Sequence, residues 1–171
     1  MDFGLSEDQA LLDETLRSFL SDQVPIERVR ELREESCPNQ QDIWKQLAEL
    51  GATGVLVPES HGGSELSLLD AVVISQTLGH AVTPSPFLSS AILATVALRE
   101  LSHEAIPSWL GGIASGDLIF GVAATELFSL REEAGIQLED EKLTGKAMMA
   151  LDSCNADLIL IGVDSTTLAV I

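Results

Sequence analysis

The stretch 50–63 constrains the fold more than any other part of the sequence. Apolar residues recur at helical spacing ahead of Gly51, a residue type that is typical of the position just past a helix end. A short apolar step then reaches Pro58, which cannot donate a backbone hydrogen bond to a continuing ladder. The pair Gly62 and Gly63 follows and predicts a tight turn. The sequence therefore predicts a helix that ends here and a chain that reverses direction.

Helical signals lie on both sides of this turn. Ser6 stands three residues before Gln9 and ahead of an apolar stripe, which predicts a capped first helix over 7–24. Pro25 suits the first turn of a second helix. Beyond the turn, residues 68–79 are apolar around the whole helical circumference. We therefore expect this later helix to be buried on most sides.

The second half of the chain changes character near Gly116. Before it, Pro84 and Pro86 force a loop, and a long apolar helix is predicted over 88–101 with a shorter helix after it. Six predicted helices thus indicate a bundle. A short apolar run bounded by turn signals then predicts a strand at 118–124, and further strands are predicted at 136–138, 142–144, 158–163 and 168–171. The composition divides the chain into an α half, 1–116, and a β half, 117–171.

Composition predicts a folded protein, and charge argues against nucleic acids and anionic membrane surfaces as partners. The chain has 171 residues, of which 46% are hydrophobic, so a folded globular protein is expected. The formal net charge of −18 repels nucleic-acid phosphates and anionic membrane surfaces, which argues against nucleic-acid binding. An anionic CoA ester or dinucleotide would need local backbone amides or the few basic side chains to hold its phosphates.

Cysteine usage and hydropathy favour a cytoplasmic protein with no membrane span. Cys37 and Cys154 lie far apart with no CxxC motif, and the start at Met1 lacks the basic and apolar regions of a secretory signal. A reducing cytoplasm fits these features best. No apolar run approaches the roughly 18 residues that a membrane span requires.

The chain ends inside its last predicted strand, 168–171, with no polar residue to close it. An apolar, unpaired edge recruits other chains, so a mature domain seldom terminates in this way. We therefore expect a truncated chain.

No self-contained catalytic motif occurs. The sequence lacks GxSxG, HExxH, GxxxxGK[ST] and GxGxxG. His61, His80 and His103 fall on different predicted elements, and capping, surface or packing roles are expected for them. These residues alone predict no catalytic centre.

Two groups of residues occur in an order that carries more information than either group alone. The first consists of Leu50-Gly51, Gly54-Val55-Leu56-Val57-Pro58-Glu59, Gly62-Gly63 and Thr77-Leu78-Gly79. The second consists of Ala114-Ser115-Gly116-Asp117 and Gly121-Val122-Ala123-Ala124-Thr125-Glu126. Together they resemble the acyl-CoA dehydrogenases, a family of flavoproteins. The resemblance covers nearly the whole chain and thins after Glu126.

This resemblance implies an α+β architecture. An amino-terminal all-α helical bundle, 1–116, would be followed by the first strands of a β-barrel-like domain, 117–171. It also implies FAD as cofactor, an acyl-CoA substrate, an electron-transfer acceptor, a homo- or hetero-oligomer and a place in fatty acid metabolism. In family members a glutamate base removes the α proton while hydride leaves the β carbon for flavin N5. That glutamate lies in a carboxy-terminal bundle with no counterpart here, so no catalytic residue is expected in this chain.

The resemblance implies that this chain forms one wall of the flavin and acyl pocket. Residues at the positions of Val122, Ala124 and Thr125 run beside the flavin ring in the family, and the Thr125 hydroxyl is the strongest single candidate for a flavin contact. A hydroxyl that merely caps a turn at the strand end is the alternative. Residues 83–87 and the helix after them are expected near the acyl chain.

The sequence departs from the family pattern at three places. Residues 127–133 replace a turn that approaches substrate and cofactor in the family. Met149 stands where an aromatic side chain shields the flavin, and Leu151 stands where a hydroxyl bonds flavin N5. Leucine cannot donate that bond.

Three interpretations follow. The chain is the front half of an acyl-CoA dehydrogenase, a non-catalytic dehydrogenase-like subunit that pairs with an active homologue, or a helical interaction module.

Overall fold

The structure is a computed structural model that describes residues 4–35, 37, 40–124 and 135–171. Its helices are α1 (Glu7–Gln23), α2 (Ile26–Arg33), α3 (Gln41–Glu49), α4 (Leu68–His80), α5 (Thr95–Arg99) and α6 (Ile106–Ala114), with a 3₁₀ turn at Glu59–His61 and a π-helix at Phe87–Ala94. Its strands are β1 (Phe120–Ala123), β2 (Gly135–Glu139), β3 (Lys142–Lys146), β4 (Leu158–Gly162) and β5 (Leu168–Val170). The predicted α+β class is confirmed.

The capping box at the start of α1 is confirmed. The Gln9 backbone N–H donates to Ser6 Oγ at 3.2 Å, and the Ser6 N–H donates to Gln9 Oε1 at 3.1 Å. Both bonds satisfy donors that the first helical turn leaves unpaired. Gln9 Nε2 also donates to Asp70 Oδ1 at 2.9 Å, and this bond joins α1 to α4.

The glycine turn at 50–63 is confirmed as a tight, self-contained structure. Gly62 adopts φ +83°, and a Cβ on Gly63 would lie 2.1 Å from the Val57 carbonyl oxygen, so only glycine fits there. The N–H groups of residues 61–66 donate to carbonyls between residues 54 and 59. This loop therefore uses its backbone donors within its own fold.

The prediction that α4 is buried on most sides is wrong. Leu68, Leu69 and Val72 are 60%, 58% and 56% exposed, whereas Ile74 and Leu78 on the other side are buried in the core. A helix that is apolar around its circumference carries no periodic signal, and the sequence alone could not show which side packs.

The prediction of one continuous α-helix over 88–101 is also wrong. Residues Phe87–Ala94 form a π-helix, and α5 continues only to Arg99. Thr95 Oγ1 donates to the Ser90 carbonyl at 3.1 Å, and Ser90 Oγ accepts the Phe120 N–H at 3.1 Å. These polar side chains bond to backbone inside the core, and an apolar pattern cannot distinguish a π-helix from an α-helix.

The strands form two separate sheets. β1 pairs with β4 in parallel and β4 pairs with β5 antiparallel, in the order β1-β4-β5. β2 and β3 form an antiparallel hairpin of their own. The first sheet shares a hydrophobic cluster with the helices, because Phe120, Val122 and Leu160 pack with Leu98 and Ile113. A second cluster lies among the helices around Leu16, Trp44 and Leu47. The division into 1–116 and 117–171 stays a prediction.

Within the described part of the chain, no helix combines the length and apolar character that crossing a bilayer would require.

Candidate functional site

The candidate site lies where β1 meets the segment 147–157, which we call the wall segment. The Val122 N–H donates to the Leu151 carbonyl at 3.1 Å, and the Leu151 N–H donates to the Val122 carbonyl at 2.8 Å. Two residues that the sequence assigned to one pocket wall are thus hydrogen-bonded neighbours despite their separation in the chain. The antiparallel direction of this bridge carries Ala124 toward the side of Met149.

Gly121 allows this close approach. A Cβ at this position would lie 3.1 Å from the Leu151 carbonyl oxygen, 3.1 Å from the Ser153 Cα and 3.2 Å from the Ala156 Cβ. These distances are tighter than ordinary van der Waals contact. The absence of a side chain at Gly121 therefore lets the wall segment pack directly against β1.

The side chains at this junction offer an apolar surface. Val122 is only 6% exposed and belongs to the core, whereas Ala124 is half-buried. Met149 and Leu151 are 64% and 39% exposed. We call these four residues the apolar wall. Large apolar side chains with this exposure, next to a buried strand, are suited to contact with a flat apolar ligand.

Several predicted site residues lie outside the described residues. They are Thr125, the strongest single candidate, and the divergent stretch 127–133. Their roles stay predictions.

The wall segment has an unusual backbone. Met149 and Asp152 adopt φ +56° and φ +50°, in the left-handed region that non-glycine residues rarely occupy. Each such residue costs on the order of 1 kcal/mol or more and persists only where its surroundings hold it. Two left-handed residues therefore flank Leu151, and contacts from elsewhere must stabilise the segment.

Contacts from the helical half and from the residue just before β1 supply that stabilisation. Ser89 Oγ, on the π-helix, donates to Asp152 Oδ2 at 2.7 Å. The Ile119 N–H, just before β1, donates to Asp157 Oδ2 at 2.8 Å. Cys154 forms a disulfide with Cys37, and their Cα atoms are 5.9 Å apart. The wall segment is therefore fastened near its middle and at its far end.

The disulfide is a feature that sequence reasoning missed. The sequence predicts only a reducing compartment, because 117 positions separate the two cysteines and no CxxC motif occurs. The even number of cysteines was the only signal available, and connectivity cannot be inferred from spacing of this kind. The structure therefore adds a crosslink that the sequence does not predict.

Two cavities are relevant to the predicted site, and residues 85–87 contribute to both. One, of about 420 Å³, adjoins the wall segment and is largely polar, with lining residues Gln40, Gln41, Pro86, Ile119, Asp152, Cys154, Asn155 and Asp157. The other, of about 450 Å³, lies between α4 and the π-helix, with lining residues Ser75, Leu78, Gly79, Val82, Thr83, Ser85, Phe87 and Leu88. The segment predicted to approach the acyl chain, 83–87, thus contributes to the lining of the second cavity.

An ion pair between Lys45 and Asp117 lies just before β1 in the chain. Lys45 and Ser115 both donate to the carboxylate of Asp117, and the bond from Lys45 is the larger cause that lowers the pKa of that carboxyl below its ordinary value. The pair is exposed. It joins α3 to the chain just ahead of β1.

The histidines do not assemble a site. His103 stacks on Trp109 with ring centroids 5.7 Å apart, and its Nδ1 accepts the Ala105 N–H at 3.2 Å. His61 ends the 3₁₀ turn and His80 ends α4. Among the residues that the structure describes, no group of three potential metal ligands comes together.

The helices, together with the small β1-β4-β5 sheet that shares their core, have the α+β architecture that the resemblance predicted. Residues 6–117 match the family model described as "Acyl-CoA dehydrogenase, N-terminal domain", so the chain belongs to the acyl-CoA dehydrogenase family. This confirms the family that the two sequence motifs indicated.

Particular relatives agree with this assignment. Acyl-CoA dehydrogenase IpdE2 of Mycolicibacterium smegmatis is 31% identical over 118 residues, which cover 68% of this chain and 38% of that protein. Mitochondrial isovaleryl-CoA dehydrogenase of Pongo abelii is 26% identical over 167 residues, covering 92% of this chain and 40% of the relative.

A solved structure shares the fold. The ChsE4-ChsE5 complex from Mycobacterium tuberculosis includes a chain that superposes with a TM-score of 0.84 at 27% identity, covering 99% of this chain and 48% of that chain. The present chain therefore spans less than half the length of these relatives.

Proposed function

We propose that this chain is the amino-terminal part of an FAD-dependent acyl-CoA dehydrogenase that oxidises the α,β carbon–carbon bond of an acyl-CoA thioester to the enoyl-CoA. The observation that carries the proposal is the hydrogen-bonded pairing of Val122 with Leu151, in a chain of this family, at the two positions where flavin contacts are expected. In this view β1 and the wall segment form one side of the flavin pocket.

The apolar wall suits one face of an isoalloxazine ring. The exposed Met149 thioether can contact an aromatic ring favourably, and Leu151 adds apolar area beside it. Leu151 has no side-chain donor for the ring nitrogen, so hydrogen bonds to the ring would come from backbone groups and from the Thr125 hydroxyl. The residues fit the ring by their apolar character, and they depart from the family in the hydrogen bond that Leu151 cannot donate and in the aromatic side chain that Met149 replaces.

The chemistry divides between this chain and groups beyond it. Bound FAD supplies the hydride acceptor. No side chain of the apolar wall titrates, so this chain would orient the ring and exclude water, and the α proton would pass to a carboxylate outside it. The cavity lined by Thr83 and Phe87 would receive part of the acyl group.

Three further features of the proposal come from the family resemblance. They are an electron-transfer acceptor, a role in fatty acid metabolism, and assembly as a homo- or hetero-oligomer. A cytoplasmic location, which cysteine usage predicted, stays a prediction. The similar ChsE4-ChsE5 structure is that of a complex, which supports testing this chain for a partner subunit.

A second function is favoured by Met149 and Leu151 themselves. Where the family carries an aromatic residue and a hydroxyl, this chain has two side chains that neither shield the ring fully nor donate a hydrogen bond. The alternative is a non-catalytic dehydrogenase-like subunit of a heteromeric acyl-CoA dehydrogenase.

Absorbance and dye reduction discriminate between these functions. The protein is purified with any subunit that copurifies, and flavin absorbance is recorded before an acyl-CoA and an acceptor dye are added. A yellow protein that reduces the dye supports the enzyme. A protein that is colourless alone and belongs to a yellow complex with a partner supports the accessory subunit. If neither the protein nor its complex ever holds flavin, both proposals are wrong.

A matched pair of substitutions tests the apolar wall directly. Leu151 and Leu138 are 39% and 43% exposed, and Leu138 lies on the β2–β3 hairpin. Leu151→Arg should weaken FAD binding at least about tenfold, since a charge in an apolar contact is costly to desolvate. Leu138→Arg should leave FAD affinity unchanged. Equal affinities of the two variants would contradict the assignment of the wall.

A further inference from the structure

We propose that Cys37 and Cys154 form a reversible redox tether, so that their thiol–disulfide state sets how firmly the wall segment is held against β1. The tether is a property of this chain's own residues. Its consequence for flavin rests on the proposed function above.

The disulfide joins two parts of the molecule that lie far apart in the sequence. Cys37 follows α2 in the helical half, and Cys154 lies in the wall segment three residues after Leu151. The Cα separation of 5.9 Å is within the usual range for a disulfide. The crosslink therefore restrains the same short segment whose Leu151 pairs with Val122.

The wall segment needs this restraint. Met149 and Asp152 hold left-handed conformations on either side of Leu151, which an unrestrained chain would leave. Ser89 on the π-helix fastens the segment next to Leu151 through its bond to Asp152. Loss of the crosslink would remove the covalent restraint and leave only non-covalent contacts on the segment, among them that bond, the backbone pair with Val122 and the bond from the Ile119 N–H to Asp157.

Small reductants can reach the pair. Cys37 and Cys154 are both exposed, so thiol–disulfide exchange does not require the core to open. A dithiol supplies two electrons and two protons to the pair: the Sγ–Sγ bond breaks, both cysteines become thiols, and the dithiol closes into its own disulfide. Exchange with an oxidised dithiol reverses each step.

The direction of the effect follows from these contacts. In the oxidised protein the amides of Val122 and Leu151 stay hydrogen-bonded, and the apolar wall is preorganised. In the reduced protein the segment opens more often, and a ligand that binds the ordered wall must order it first. Reduction should therefore accelerate amide exchange at Leu151 and weaken FAD binding.

Hydrogen exchange in the full chain tests the tether. Exchange at Leu151 and Val122 is compared in the oxidised protein, in the protein reduced with dithiothreitol, and in Cys37→Ser and Cys154→Ser. We expect exchange at Leu151 to be about tenfold faster in the reduced protein and in both variants, with no further response of the variants to dithiothreitol. The β2–β3 hairpin, residues 135–146, serves as internal reference and should not change.

Ser89→Ala provides a second route to the same result. It removes the bond to Asp152 without touching the thiols, so reduction of this variant should accelerate exchange at Leu151 more than reduction of the unmodified protein does. Identical exchange in oxidised and reduced protein would overturn the tether. So would two free thiols, detected by mass, in protein kept under oxidising conditions.

FAD titration of the oxidised and reduced protein separates the two proposals. Weaker binding after reduction supports both. If exchange at Leu151 responds to reduction while neither state binds FAD, alone or with a partner subunit, the tether is supported and the proposed flavin function is wrong.

Discussion

The two sheets of this protein differ in what surrounds them. The β1-β4-β5 sheet is almost completely buried at Phe120, Val122 and Leu160. These side chains belong to the same hydrophobic cluster as side chains of the helices. In the β2–β3 hairpin, by contrast, every residue from 135 to 146 is exposed or half-buried. The sequence predicts strands in both sheets, but one sheet is buried in the core and the other is largely exposed to solvent. The sheet that lies inside the core is also the one that carries the candidate site.

This contrast shows why composition and packing divide the chain differently. β1 and β4 are nearly continuous apolar runs, as expected for parallel strands covered on both faces. The hairpin carries charged residues at its ends, such as Lys142 and Glu139. Composition changes near residue 116, but the core continues through β1 and β4.

The largest expected difference between the sheets is in core packing. Phe120 is fully buried and meets Trp109 edge to face, with ring centroids 5.9 Å apart. Phe120→Ala should lower the free energy of unfolding by about 3–5 kcal/mol, because it removes buried area and leaves a cavity. Leu138→Ala in the hairpin should change it by less than about 0.5 kcal/mol. Urea denaturation measures both, and similar losses would show that the hairpin is as much part of the core as β1.

A smaller effect is expected where β1 touches the wall segment. Gly121→Ala adds a Cβ about 3.1 Å from the Leu151 carbonyl oxygen. The wall segment must move away from β1 to make room for this methyl group. We expect a loss of about 1–3 kcal/mol in the free energy of unfolding. Gly79→Ala is the control, since a Cβ in α4 at that position meets nothing within 4 Å and should stabilise the helix by about 0.5–1 kcal/mol. Effects of the same sign at both positions would contradict the close packing at Gly121.

The hydrogen bond between Ser90 of the π-helix and Phe120 of β1 should contribute less to the free energy of unfolding than the packing at Gly121. Ser90→Ala deprives the buried Phe120 N–H of its acceptor, at a cost of about 1 kcal/mol. Thr144→Ala on the exposed hairpin should have an effect within about 0.5 kcal/mol of zero. Thermal unfolding of the two variants tests the comparison, and a neutral Ser90→Ala would mean that the π-helix does not stabilise the first sheet.

The smallest expected effect is an acid dependence of the first sheet. Hydrogen bonds from Lys45 and Ser115 lower the pKa of Asp117 ahead of β1, and bonds from Thr166 lower the pKa of Asp164 in the turn between β4 and β5. Because both folded-state pKa values lie below the unfolded value, this stabilisation is complete above about pH 4 and is lost as pH falls through the folded values.

Substitution checks the acid dependence. Asp117→Asn with Asp164→Asn should destabilise the protein slightly at neutral pH and make its stability fall less steeply in acid. Unfolding midpoints measured from neutral pH down to values below the ordinary pKa of an aspartate test this, since the folded-state pKa values of both groups lie below that value. An unchanged slope would mean that these carboxylates do not contribute.

Local signals predicted much of the fold. The Ser6 and Gln9 capping box and the Gly62 and Gly63 turn are short-range patterns with one physical solution each, and both are confirmed. Short apolar runs between turn residues predicted β1, β4 and β5, whereas the sequences of β2 and β3 are mixed polar and apolar. The exposed side of α4 and the π-helix could not be predicted, because both depend on which neighbours pack against a uniformly apolar segment.

The candidate site was predictable only in part. The family motifs indicated Val122, Ala124, Met149 and Leu151, and the structure pairs Val122 with Leu151 through two backbone bonds. The Cys37 disulfide and the Ser89 bond to Asp152 were missed, because they join segments whose proximity depends on the whole fold.

Amide resonances recorded during FAD titration test the central claim most directly. The titration is carried out on the oxidised chain, alone and together with an acyl-CoA dehydrogenase subunit. We predict that the largest shifts occur at residues 120–124 and 149–151, while the hairpin at 135–146 stays unchanged. If no resonance shifts under either condition, or if the shifts are confined to the hairpin, the assignment of the flavin wall is wrong.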